Sequence, residues 1–141
     1  MATTKKRADS QISGLAGEFF VAAELLKRGI QTSVTFGNAK SVDLLAHNAE
    51  TGRSFTVQVK TLRSRSFFPL TFDRIEPEHV YVFVILNRPG QAVRYFIVEG
   101  SQIVEDPERF GSSLQATTFP GLRPRVLEEY EDNWVVFDAP A

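Results

Sequence analysis

The chain has 141 residues, 43% of them apolar and 23% charged, with twelve Phe and one Trp. That fits one globular domain with a core of its own. It contains no Cys, which excludes thiol catalysis, Cys-bound zinc and iron–sulfur clusters, and agrees with a reducing compartment. The net charge of −1 argues against wholesale coating of nucleic acid. The charge is unevenly placed, however: Arg53, Lys60, Arg63, Arg65 and Arg74 stand against Asp73 alone, whereas nine acids face three bases from Glu99 onward. A basic face and an acidic face are expected.

Residues 1–10 are polar and lack periodicity, so they read as a flexible tail, with residues 11–141 forming a single domain. Their positive cluster has no apolar stretch behind it. Neither a secretory signal nor a membrane span is expected, and the chain reads as cytoplasmic. Ile12, Leu15, Phe19, Ala22, Ala23 and Leu26 recur at three- and four-residue steps. They predict an amphipathic helix over 11–28 with Ser10 as N-cap and Gly29 as its left-handed stop. Residues 31–36 form a short β-rich segment, closed by a turn at 37–40. Two strands over 41–47 and 53–61 follow, joined by the turn composition NAETG. Residues 62–79 hold two prolines and read as a short helix or an extended loop. VYVFVIL is an unbroken β-branched and aromatic run, hence a strand covered on both faces. AVRYFIVE returns as its hairpin partner. A short helix near 101–111, a loop, a terminal helix over 123–133 and a closing apolar segment WVVFD complete the order. The fold class is α/β, a mixed central sheet flanked by helices.

The chemistry-bearing stretch is SVDLLAHNAETGRSFTVQVKT, Ser41–Thr61. Phe55, Val57 and Val59 share one face of their strand. Gln58 and Lys60 emerge side by side on the other, about 7 Å apart at Cα. If the two strands pair as a hairpin around NAETG, partners sum to 100 or 101, and Asp43 falls opposite Val57–Gln58. An acid, an amide and an ammonium in an apolar setting are costly unless paired or bound to something. They pair with each other, or they serve a divalent cation and an anionic substrate. Mg²⁺ asks for about six oxygens. Asp43, the Gln58 amide and the Val59 backbone carbonyl supply three. Glu18 is the candidate for more, because it interrupts the apolar run GLAGEFFVAAELL beside Gly17. His47 reads as a surface strand-end residue, and the spacing suggests no partner for His79. Phe67, Phe68, Phe72 and Tyr81 read as core more readily than as base-stacking groups.

The order GLAGE…VAAELLKRG, VDLLA, VQVKT resembles the PD-(D/E)xK nuclease superfamily, in its Holliday-junction-resolvase-like and homing-endonuclease-like branches. The resemblance spans Ile12 to Thr61. It implies a restriction-endonuclease-like core of the form αβββ(α)ββα and a metal-dependent DNA endonuclease using Mg²⁺, with Mn²⁺ as a substitute. Glu18, Asp43 and Gln58 would hold the metal, and Lys60 would be the catalytic lysine. Val42 stands where the family has a nominal Pro. Gln58 stands where it usually has an acid, and a homing-endonuclease branch is similar in this. Arg53, Arg63 and Arg65 would grip the backbone of duplex or branched DNA. A chain of this size implies a homodimer or tetramer. The alternative is a nuclease-fold module that binds nucleic acid, or serves as an oligomeric accessory, without hydrolysis.

Overall fold

The computed structural model describes residues 2–35 and 42–140, and of residues 2–9 the backbone alone. The expected turn at 37–40, and the outer ends of the strands flanking it, lie outside the described residues. Helix α1 runs Ala2–Lys27. It starts well before the expected Gln11, because Ala, Lys and Arg favour helix. Ser10 therefore sits inside the helix and is not its cap. The other end is as expected. Gly29 has φ 83°, its N–H donates to Leu26 O at 3.0 Å, and the Ile30 N–H donates to Leu25 O at 2.9 Å. This double closure satisfies the last carbonyls.

Strands β1 (Gln31–Val34), β2 (Leu44–Asn48), β3 (Arg53–Leu62), β5 (Val80–Ile85) and β6 (Arg94–Glu99) form one mixed sheet in the order β1-β2-β3-β5-β6. The β2–β3 hairpin pairs Leu44 with Val57 and His47 with Ser54, a constant sum of 101 and the expected register. Asn48 fixes the turn. Its Oδ1 accepts from the Glu50 N–H at 2.9 Å and its Nδ2 donates to Phe137 O at 2.9 Å. Strands β3 and β5 are parallel, Gln58 opposite Tyr81 and Lys60 opposite Phe83. Parallel neighbours need a long crossover, and here it carries no α-helix. It is extended, with strand β4 (Phe68–Pro69) and a 3-10 turn Phe72–Arg74. β4 pairs with the two-residue strand β7 (Gly121–Leu122).

Two cores sandwich the sheet. On one face Val21 and Leu25 of α1 pack with Leu44, Val57, Val82 and Phe137. On the other, Phe83 and Phe96 pack with Phe68 and Leu70 of the crossover and with Leu127. β5 lies between both cores, and all six of its residues are buried.

Two further expectations are corrected. The helix meets the sheet through Ser13, Gly17, Val21, Ala22 and Leu25, whereas Ile12, Leu15, Phe19 and Leu26 are 60%, 44%, 49% and 54% exposed. At Ser13 and Gly17 small residues face the sheet because the approach there is close: a Cβ on Gly17 would overlap Thr61 Oγ1. Val21 and Leu25 fill the wider gap that follows, and Ile12, Leu15, Phe19 and Leu26 are left pointing outward. The second correction concerns the C-terminus, which has no terminal α-helix. Residues Pro124–Tyr130 and Trp134–Asp138 are 3-10 helices. Asp132, at φ 54°, turns the chain so that its N–H donates to Tyr95 O at 2.8 Å. The segment is captured by β6 before a helix can propagate. The expected short helix is α2 (Gly100–Glu105).

Candidate active site

The site lies where β2 and β3 part. The last ladder pair is Leu44 with Val57, after which Asp43 still donates its N–H to Val57 O at 3.0 Å. The Asp43 side chain then takes the place of backbone: its Oδ2 accepts from the Val59 N–H at 2.7 Å. In an extended strand the N–H and C=O of one residue point to the same side, so the Val59 carbonyl also faces the Asp43 side.

Glu18 arrives from α1. Gly17 lets the helix backbone come against Thr61 of β3, so the next residue is held at the strand edge. The Glu18 carboxyl is pushed above the ordinary carboxylate range, first by burial and second by the negative charge of Asp43. Two carboxylates thus oppose each other, and no ion pair neutralises either among the described residues.

Gln58 and Lys60 emerge on the face away from α1 and line one groove of about 650 Å³ with Arg74, Tyr81, Phe67 and Phe119. Gln58 is 3% exposed. Its Nε2 contacts His79 Nδ1 at 2.9 Å and donates to Tyr81 Oη at 3.0 Å. Tyr81 Oη also accepts from the Glu76 N–H at 2.9 Å. The amide is therefore locked, with its nitrogen committed to β5 and the preceding turn. Lys60 is half-buried and makes no ion pair with Asp43 or Glu18, so mutual neutralisation does not explain the Asp43–Lys60 pair.

The arginines divide. Arg53 sits at the far end of β3, seven residues and about 23 Å from Lys60 by strand rise, with its guanidinium 3.7 Å from Glu99 and over the Phe55 ring. Arg65 meets Glu128 at 2.6 Å, and Arg94 reaches both Glu128 and Glu131, at 3.1 and 2.8 Å. The Arg65 hydrogen bond is the leading cause holding the Glu128 carboxyl below its ordinary range. Basic and acidic stretches thus meet here instead of forming two separate faces. Arg63 is exposed, with no ion pair among the described residues. His47 bonds Ser54 Oγ through Nδ1 at 2.8 Å, away from the site.

Three site residues were not legible in the sequence: His79, Tyr81 and Arg74. Their positions depend on parallel β3–β5 pairing, which leaves no local signature. Phe68 and Tyr81 are core as expected, and Phe72 packs against the same core.

The residues fit a divalent cation in part. No three Asp, Glu or His side chains form a ready cage among the described residues. Glu18 and Asp43 do form an unneutralised pair, and the Val59 carbonyl faces the same side. A cation there would offset the burial and the Asp43 charge that together raise Glu18.

This mixed α/β topology is a nuclease-like fold. The chain is similar to the solved structure of the bacterial homing endonuclease I-Ssp6803I, with a TM-score of 0.60 and 16% sequence identity over 92% of this chain and 91% of that one. At such identity the likeness shows the fold. No protein-family model and no curated protein matches the chain.

Proposed function

We propose that the chain is a metal-dependent DNA endonuclease of the PD-(D/E)xK type. One observation carries this: Glu18 and Asp43 oppose each other, with no ion pair among the described residues, at the open edge of β3, the strand that carries Lys60 on its other face, in a fold shared with a homing endonuclease. Glu18, Asp43 and the Val59 carbonyl would hold Mg²⁺ or Mn²⁺, and Gln58, which leaves β3 on the other face, would have to reach the ion past the strand edge. Bound there, the ion would supply Lewis-acid stabilisation and a more acidic water for phosphodiester hydrolysis. Asp43 anchors its carboxylate on the Val59 N–H, so its second oxygen is aimed without entropy loss at the moment of reaction. Glu18 completes the negative locus. Gln58 is held still by His79 and Tyr81 and adds a neutral acceptor. Lys60 places a compact cation where charge builds on the phosphate oxygens, and Arg63 lies just beyond it for a flanking phosphate.

Plasmid and branched DNA should be cut with Mg²⁺ or Mn²⁺ and not with chelator. Lys60→Ala should lower the rate by about 10²-fold or more while leaving the melting temperature within about 2 °C of wild type, because Lys60 makes no ion pair among the described residues. Metal-independent cutting, or full activity in Lys60→Ala, overturns the reading.

The same reading includes self-association. Ile12, Leu15, Phe19 and Leu26 follow a heptad-like 3-4-7 spacing on the exposed face of α1, the pattern by which one helix packs on another. Sedimentation should show a dimer or larger. The double variant Leu15→Lys, Leu26→Lys should shift it to monomer with the fold intact, because neither side chain belongs to the core. A wild-type monomer at micromolar concentration would contradict this. No helix among the described residues is long and apolar enough to cross a membrane.

A further inference from the structure

The groove holding Gln58 and Lys60 contains more than phosphate hydrolysis requires. One wall is the crossover, with Phe67 and Arg74. The other is the strap ahead of β7, with Phe119. Phe119 is 84% exposed, the highest value among the exposed large apolar side chains described. It is also a non-glycine residue in the left-handed region, at φ 51°. A large apolar group presented to water from a costly backbone conformation calls for a reason.

Its base is fixed. Leu70 donates its N–H to Pro120 O at 3.1 Å, and Pro69 pairs with Gly121. Gly121 is needed because a Cβ there would overlap the Phe68 carbonyl oxygen, and the Phe67 ring lies over the same point of the strap, its Cζ 2.6 Å from that position. Two aromatic rings on a rigid frame therefore border a groove whose two cations, Lys60 and Arg74, make no ion pair among the described residues. Stacking faces combined with fixed positive charge are what a nucleotide without a base-pairing partner requires. A paired base inside a duplex cannot offer its face. The volume of about 650 Å³ is in the range of small-molecule pockets.

We infer that this groove takes one unpaired nucleotide of a DNA strand, its base stacked on Phe119 and Phe67 and its phosphate on Lys60 and Arg74. Resting on the hydrolase reading, this makes distorted or branched DNA, not intact duplex, the preferred substrate class. The nucleotide would sit next to the phosphate that Lys60 serves.

The test is binding under chelator, where nothing is cut. It uses a duplex carrying a single unpaired 2-aminopurine and the same duplex fully paired. Wild-type protein should quench the unpaired fluorophore and bind the bulged duplex more tightly than the paired one. Phe119→Ala should lose the quenching and about 10-fold of the bulge affinity, with paired-duplex affinity unchanged. Phe119→Tyr should restore both, and Phe119→Leu, apolar but not aromatic, should not. Equal binding of the two duplexes, no quenching, or restoration by Leu overturns the inference. If the Phe119-dependent preference holds and no metal supports cleavage, the hydrolase reading falls and this one stands. Metal-dependent cleavage without the preference leaves the opposite result. Binding to neither duplex overturns this inference and leaves the hydrolase reading to the cleavage assay with metal.

Discussion

Asp43→Asn is expected to lower metal-dependent DNA cleavage by about 10³-fold or more and to leave the fold intact. The amide keeps an oxygen for the Val59 N–H, so the 2.7 Å bond and the parting of β2 from β3 survive. It removes the charge that faces Glu18, and with it half of the negative locus for a cation. Asp43→Ala separates the two roles of the side chain. It should lose the same activity, and it also strands the Val59 N–H at the cost of about 1–3 kcal/mol. Cleavage rates and thermal melts of the two variants give the comparison. Cleavage by Asp43→Asn at the wild-type rate would remove Asp43 from the chemistry.

Glu18→Gln should move activity and stability in opposite directions. Burial first, and Asp43 second, raise the Glu18 carboxyl above its ordinary range. An acid raised in the folded state binds its proton more tightly there than in the unfolded chain. Its contribution to stability is therefore fully present below the unfolded value and is lost as pH rises through the folded one. Once pH exceeds the folded value, the ionised Glu18 burdens the metal-free fold. Gln removes that burden. Under chelator the variant should melt a few degrees above wild type at neutral pH, and the gap should shrink on acidification towards the ordinary carboxylate range. Added Mg²⁺ should raise the wild-type melting temperature by ligand linkage and leave the variant nearly unmoved. Cleavage should fall about 10²-fold or more. A variant that melts lower than wild type under chelator, or one stabilised by Mg²⁺ as wild type is, would show that Glu18 faces no shared charge locus. Active sites commonly give up stability in this way.

The distribution of charge was the least reliable guide to the surface. Arg53 and Arg65 lie close in sequence to Lys60, yet one is carried a strand length away and the other is matched by Glu128. The stretch that holds Glu128 returns to the sheet through hydrogen bonds from β6, which no local pattern announces. The helix was misjudged in a different way. Its apolar spacing was visible, but spacing alone cannot say which of two apolar faces meets the sheet. Close contact with Thr61 selected the side of Ser13 and Gly17 and left Leu15 and Leu26 outside.

Local chemistry was therefore enough for several things. Gly29 ended the helix because its φ is open to the left-handed region. The NAETG turn limited the hairpin sum to 100 or 101, and through it placed Asp43 opposite the Val57–Gln58 region. The unbroken apolar run of β5 implied cover on both faces. Only the tertiary structure put Glu18 beside Asp43, His79 and Tyr81 on Gln58, and Phe119 across the groove from Lys60. Each of these pairs joins segments brought together by packing of α1 on the sheet, by parallel strand pairing or by packing of the extended crossover. Such contacts are selected by the summed burial of the whole sheet, so no short stretch of sequence encodes them.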